Sequence, residues 1–228
     1  SFDGTEYVLP VAEPTIGNPG LGITQLRNDT GAVTFDPGFA NTAGARSSIT
    51  YIDGGAGVLQ HRGYSIEDLA ANATFLEVAY LLLFKKLPTR AELDVWEDDV
   101  RHHTLLNEEM KRFFDAFPKS AHPMAILSSA TNAISTFYDV YRRPTRAAEI
   151  DACARTLIAK LPTVAAWAYK KSIGVPDVYP QVEYSYVENF LRMMFTTPLE
   201  EMTVDPAVVK ALNVLLILHA DHEMNCST

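Results

Sequence analysis

The sequence predicts a mostly α-helical fold with a small β element at its N-terminus. Three observations lead there. From Ser65 onward, apolar residues recur at helical spacing, in segments opened by Ser, Thr or Asp and closed by Pro or Lys. Residues 1–47 are instead rich in Gly, Pro, Asn and Thr, with only short apolar runs. The composition, 47% hydrophobic against 21% charged over 228 residues, is enough for a substantial packed core. The expected organisation is a strand and hairpin region over 1–64 and the helical part of a larger domain over 65–228.

The N-terminal runs Tyr7-Val8-Leu9 and Val33-Thr34-Phe35 read as short strands, and Phe35-Asp-Pro-Gly-Phe39 as a turn flanked by aromatics. Ile49-Thr-Tyr-Ile-Asp53 alternates as a strand, Gly54-Gly-Ala-Gly57 turns the chain, and Val58-Leu-Gln-His-Arg62 returns it as a β-hairpin. These glycines serve the turn. A phosphate-cradling loop would need a helix after it with a lysine in register, and none follows.

Ser65-Ile-Glu-Asp-Leu opens the first helix, with an N-cap and acids in its first turn. Thr74 to Phe84 forms the next, ended by Lys85, Lys86 and Pro88. Thr89 opens a long helix running to about Phe117, closed by Pro118. Residues 123–141 and 145–171 continue the pattern, the second with Pro162 in mid-helix. Tyr184 to Phe195 carries Tyr186, Phe190, Met193 and Met194 as a core stripe.

The last helix starts at Asp205, an N-cap followed by Pro206 at the first helical position. Val208 to Leu218 is almost wholly apolar, which predicts a buried rod too short to span a bilayer. It leads into His219, Asp221, His222 and Glu223. Ionisable groups at the end of an apolar helix need a reason. Three present themselves: a helix terminus whose histidines meet the last carbonyls, a metal site, or a histidine that binds an anionic or carbonyl substrate. The order His-x-x-His-Glu matches neither His-Glu-x-x-His nor His-x-x-Glu-His, and no further metal-type cluster stands upstream.

A net charge of −9 argues against nucleic acid and anionic membrane surfaces as partners. Two cysteines, Cys153 and Cys226, make no disulfide framework, and a reducing, cytoplasmic location is expected. The abrupt stop after a chemically loaded stretch leads us to expect a piece of a longer protein.

Leu218-His-Ala-Asp-His-Glu-x-Asn-x-Ser-Thr228 closely resembles a segment of the citrate synthase family. Upstream, Ser48-Ile-Thr-Tyr-Ile-Asp-Gly, Gly57-Val-Leu and Arg62-Gly-Tyr-Ser-Ile-Glu-Asp-Leu-Ala resemble the family's N-terminal hairpin and first helix. Phe35-Asp-Pro-Gly-Phe resembles the bacterial-type (type II) branch. His122-Pro-Met, Lys160-Leu-Pro-Thr-Val-Ala-Ala, Tyr179-Pro and Asn189-Phe-Leu-Arg-Met-Met-Phe follow in family order. The resemblance runs from about Gly31 to Thr228 and selects the substrate-binding reading of the terminal histidines.

The resemblance implies an acyltransferase that condenses acetyl-CoA with oxaloacetate and hydrolyses the citryl thioester, the first step of the tricarboxylic acid cycle. It implies no metal and no cofactor, acetyl-CoA being a substrate. The catalytic carboxylate and histidines and the substrate arginines are expected beyond Thr228. Within the chain it implies His222 and Asn225 as oxaloacetate-binding residues and His219 as a supporting one. It further implies a candidate allosteric NADH site at His103, Tyr138, Arg155 and Lys160, although Leu199 stands where that site has a cysteine and His102 where it has an arginine. A homodimer or hexamer is expected. The competing readings are a 2-methylcitrate synthase acting on propionyl-CoA, a helical scaffold without chemistry, and a metal-dependent hydrolase.

Overall fold

The computed structural model describes residues 2–38, 41–138, 147–200 and 202–221. The chain divides into two compact units, Ser1–Gly63 and Tyr64–Thr228. In the first, β1 (Val11–Ala12) pairs antiparallel with β2 (Gly20–Leu21). Helix α1 (Thr24–Thr30) follows and ends at Gly31, whose φ of 71° suits a residue without a Cβ. The sequence reading has no helix here. Leu26 is the one large apolar residue in α1, so no amphipathic period announces it. The hairpin forms as its alternation predicts: β3 (Thr50–Asp53) pairs with β4 (Val58–His61), placing Thr50 opposite His61 and Asp53 opposite Val58. Asp53 Oδ1 accepts from Ala56 N at 2.9 Å, which closes the turn.

The second unit begins with a two-residue strand, β5 (Tyr64–Ser65), and is helical thereafter. Local capping chemistry places the helix starts. Ser65 caps α2 (Ile66–Asn72) through Asp68 N. Thr74 and Glu77 form a capping box on α3 (Phe75–Phe84), and Thr89 and Glu92 another on α4 (Arg90–His102). The helix expected to reach Phe117 stops at His102, and α5 (Met110–Asp115) resumes after a turn. Thr104 Oγ1 bonds Arg101 O, and Asn107 Oδ1 accepts from Glu109 N. These are side-chain bonds that compete with helix continuation.

Helix α6 (Pro123–Phe137) and the 27-residue α7 (Ala147–Ile173) follow. Residues 139–146, at the end of one expected helix and the start of the next, lie outside the described residues. α7 is the spine of this unit and packs against α4, α5, α6 and α8 (Tyr186–Phe195). Met110, Phe114, Ile134, Val164 and Trp167 form one buried cluster along it, and Leu76, Leu93, Trp96, Val100 and Ala159 a second. The helix passes through Pro162, whose ring nitrogen cannot donate to the carbonyl of Ile158. The Tyr186 hydroxyl, presented by α8, donates to that carbonyl at 2.9 Å and replaces the missing bond.

Helix α9 (Pro206–Leu218) starts at Asp205, whose Oδ1 accepts from Ala207 N at 2.8 Å. Its burial departs from the expected all-round rod. Ile217 alone is fully buried, and Val208, Leu215 and Leu218 are exposed. α9 packs against α2, α3 and α8. Three neighbours on one side cover one face of a helix and leave the other open.

Candidate functional site

Two places carry the residues singled out by sequence. The first is the end of α9. The cap at Asp205 and Pro206 starts the helix, and Val209, Leu212 and Leu216 pack on Val187, Leu191 and Val204. Asn213 lies on the face turned toward α2 and α3. Its Oδ1 accepts from Phe75 N at 2.8 Å and its Nδ2 donates to Ala73 O at 3.1 Å. The helix ends at Leu218, before both histidines. His219 is the C-cap, exposed, with Nδ1 2.7 Å from Leu215 O. A carbonyl only accepts, so Nδ1 carries the proton, and in the neutral ring Nε2 keeps the lone pair. His222 and Asn225 lie outside the described residues.

The second place is where the end of α4 meets α7, and there His103, Tyr138, Arg155 and Lys160 come together. Asp99 sits 3.2 Å from His103 Nδ1 and 3.1 Å from Arg155 Nη1, and so bridges α4 to α7. Lys160 is buried. Its Nζ donates to His103 O at 2.8 Å and to Leu105 O at 2.6 Å, and lies 4.3 Å from the Tyr138 ring centroid. Burial pulls the Lys160 ammonium down to about 8, and burial raises the Tyr138 phenol. Thr163 Oγ1 adds a bond to Thr104 O at 2.8 Å. Carbonyls of the turn between α4 and α5 are thus met by donors from α7. Asp99, His103, Ala152, Arg155 and Thr156 line a recess of about 100 Å³. His102 pairs outward with Asp98 at 3.3 Å, and Leu199 is exposed.

Sequence reasoning missed Asp99 and Asn213. The first was visible in principle, since Asp98 and Asp99 stand four residues before His102 and His103 on one helix. The second had no local signal, because its partners are 138 and 140 residues away. Among the described residues no group of three or more His, Cys, Asp or Glu could hold a metal ion, and no helix is long and apolar enough to cross a membrane.

The sequence model of the family described as citrate synthase, C-terminal domain, matches residues 38–228. The chain belongs to the citrate synthase family. It is 50% identical over 227 residues to citrate synthase 1 of Mycobacterium tuberculosis, covering 100% of this chain and 53% of that protein. It is 49% identical over 227 residues to the citrate synthase of Corynebacterium glutamicum, covering 100% of this chain and 52% of that protein. The chain therefore spans about half the length of the curated relatives it matches. The crystal structure of citrate synthase from Pyrobaculum aerophilum superposes with a TM-score of 0.75 at 28% identity, over 100% of this chain and 53% of that one. The Thermoplasma acidophilum citrate synthase, solved with carboxymethyl coenzyme A and oxaloacetate, gives 0.75 at 25% identity, over 85% of this chain and 49% of that one. These citrate synthase relatives bear out the helical fold expected from the sequence.

Proposed function

We propose that the protein carrying this chain is a citrate synthase that works in the cytoplasm. It joins the methyl carbon of acetyl-CoA to the ketone carbon of oxaloacetate, and water then cleaves the citryl thioester, releasing citrate and CoA. The observation that carries this reading is 50% identity to a citrate synthase across all 227 aligned residues. The Thermoplasma relative, solved with oxaloacetate and a coenzyme A analogue, supports the same two substrates. Acetyl-CoA acts as a substrate, and the chemistry needs only oriented acids and bases: one removes a methyl proton, and donors stabilise the enol and polarise the ketone.

This chain's part is to hold oxaloacetate through His222 and Asn225, on the segment that α9 leads into. A cationic or donating imidazole suits a dianion entering a chain of net charge −9. His219 supports the segment by its bond to Leu215 O. The test is release of free CoA thiol from acetyl-CoA plus oxaloacetate by the full-length protein. Release with propionyl-CoA but not acetyl-CoA would reassign it as a 2-methylcitrate synthase, and no release with either would leave a helical scaffold.

The grouping of His103, Tyr138, Arg155 and Lys160 supports a regulatory reading: NADH binds there and inhibits, its phosphates displacing Asp99 from Arg155. Inhibition by NADH that Arg155→Ala abolishes is the expected result, and equal inhibition of the variant refutes it. The protein is also expected to be a homodimer or hexamer, to be checked by light scattering.

A further inference from the structure

We infer that Asn213 is the residue that positions α9, and through it the substrate-binding segment, for the reaction proposed above. The inference rests on that reading, and its own observation is the bidentate amide. The amide nitrogen of Phe75, at the first position of α3, has no partner within its own helix. The carbonyl of Ala73 lies just past the end of α2. Asn213 satisfies both, Oδ1 to Phe75 N and Nδ2 to Ala73 O. One planar side chain therefore ties α9 to the junction of two other helices, with a fixed donor side and a fixed acceptor side.

Packing secures one face of α9, where Val209, Leu212 and Leu216 lie against Val187, Leu191 and Val204. The helix has one fully buried residue, and an open cleft of about 380 Å³ borders its N-terminal half, lined among others by Phe75, Arg101, Glu188, Val209, Lys210 and Asn213. Apolar packing on one face is non-directional and leaves small tilts and rotations cheap, and directional hydrogen bonds remove that freedom. The lever is short but sufficient. His219 follows Asn213 by six residues, about 9 Å along a helix axis. A tilt of roughly 6° about Asn213 displaces the helix end by about 1 Å, a misplacement that can cost about 100-fold in rate when it falls on a reacting or binding group. Asn213 touches no reacting atom in this scheme, so it is a positioning residue.

Asn213→Ala and Asn213→Asp in the full-length enzyme test this. Asp keeps an acceptor for Phe75 N at the start of α3, but replaces the donor to Ala73 O by a carboxylate oxygen that repels that carbonyl. The expected result is an oxaloacetate KM raised about tenfold or more in Asn213→Ala and raised likewise in Asn213→Asp, with the KM for acetyl-CoA within about twofold of the parent. A purely structural role would lower the melting temperature and leave the oxaloacetate KM unchanged, and that outcome overturns the inference. Should Asn213→Ala not fold, the Asp variant decides by the same KM measurement. The parent enzyme and His222→Ala are the controls. If the parent releases no CoA, the functional reading fails and the inference with it; if His222→Ala leaves the oxaloacetate KM unchanged, the segment after α9 is not the oxaloacetate site and the inference fails while the functional reading stands. If both controls behave and the Asn213 variants bind oxaloacetate normally, the inference alone fails.

Discussion

Replacing Tyr186 by Phe should expose the defect that Pro162 leaves in α7. The Phe ring fills the same space, so the perturbation is the loss of one hydroxyl. The carbonyl of Ile158 loses its bond from Tyr186 and has no helical amide to turn to, because residue 162 is proline. A buried acceptor left unpaired costs about 1–3 kcal/mol. The same change in a Pro162→Ala background should cost less than about 1 kcal/mol, because the substituted alanine supplies the i→i−4 amide that Ile158 lacked. The coupling energy between the two sites is then about 1–2 kcal/mol. Urea denaturation of the four proteins, with slopes confirmed equal, measures it. Equal cost of Tyr186→Phe in both backgrounds would refute the reasoning. Burial also raises the Tyr186 phenol above its ordinary range. The unfolded chain therefore gives up that proton first, near pH 10. The stabilisation is fully present below that pH and lost above it, a slope that Tyr186→Phe should remove.

Lys160 should give the opposite alkaline slope. Its folded value of about 8 lies below the unfolded 10.5, so the unfolded state holds the proton longer and Lys160 favours folding increasingly from pH 8 to 10. Stability of the parent relative to Lys160→Met should rise by roughly 2–3 kcal/mol across that window in urea titrations, and a flat difference would contradict the burial argument. His222→Ala should raise the oxaloacetate KM about tenfold or more and leave folding intact, whereas His219→Ala should lower the melting temperature more than the affinity. The reverse pattern in steady-state kinetics and thermal melts would exchange their roles. Trp96→Phe removes the bond from Nε1 to Leu76 O at 3.0 Å inside the Tyr80, Phe84 and Trp96 cluster, and should cost about 1–3 kcal/mol in denaturant titration. Thr89→Ala breaks the capping box of α4 and should cost about 1 kcal/mol by the same measurement.

What the sequence determined by itself is whatever acts over a few residues. Ser65, Thr74, Thr89, Ser185 and Asp205 cap helices because each oxygen reaches an amide two or three positions on, and that distance is written in the chain. The alternation from Ile49 to Arg62 likewise carries its own hairpin and register. The order of family motifs identified the family, and the family model and the curated relatives bear it out. Tertiary structure alone decided three other things. It left one face of α9 exposed, because coverage depends on neighbours brought from elsewhere and not on how apolar the helix is. It split the expected helix after His102, where carbonyls turned away from the helix meet Lys160 and Thr163, more than 50 residues later in the chain. And it gave Asn213, a polar residue in a largely apolar run, its two partners at Ala73 and Phe75. A hydrogen bond between residues so far apart in sequence leaves no periodicity, cap or motif behind, so only the folded chain reveals it.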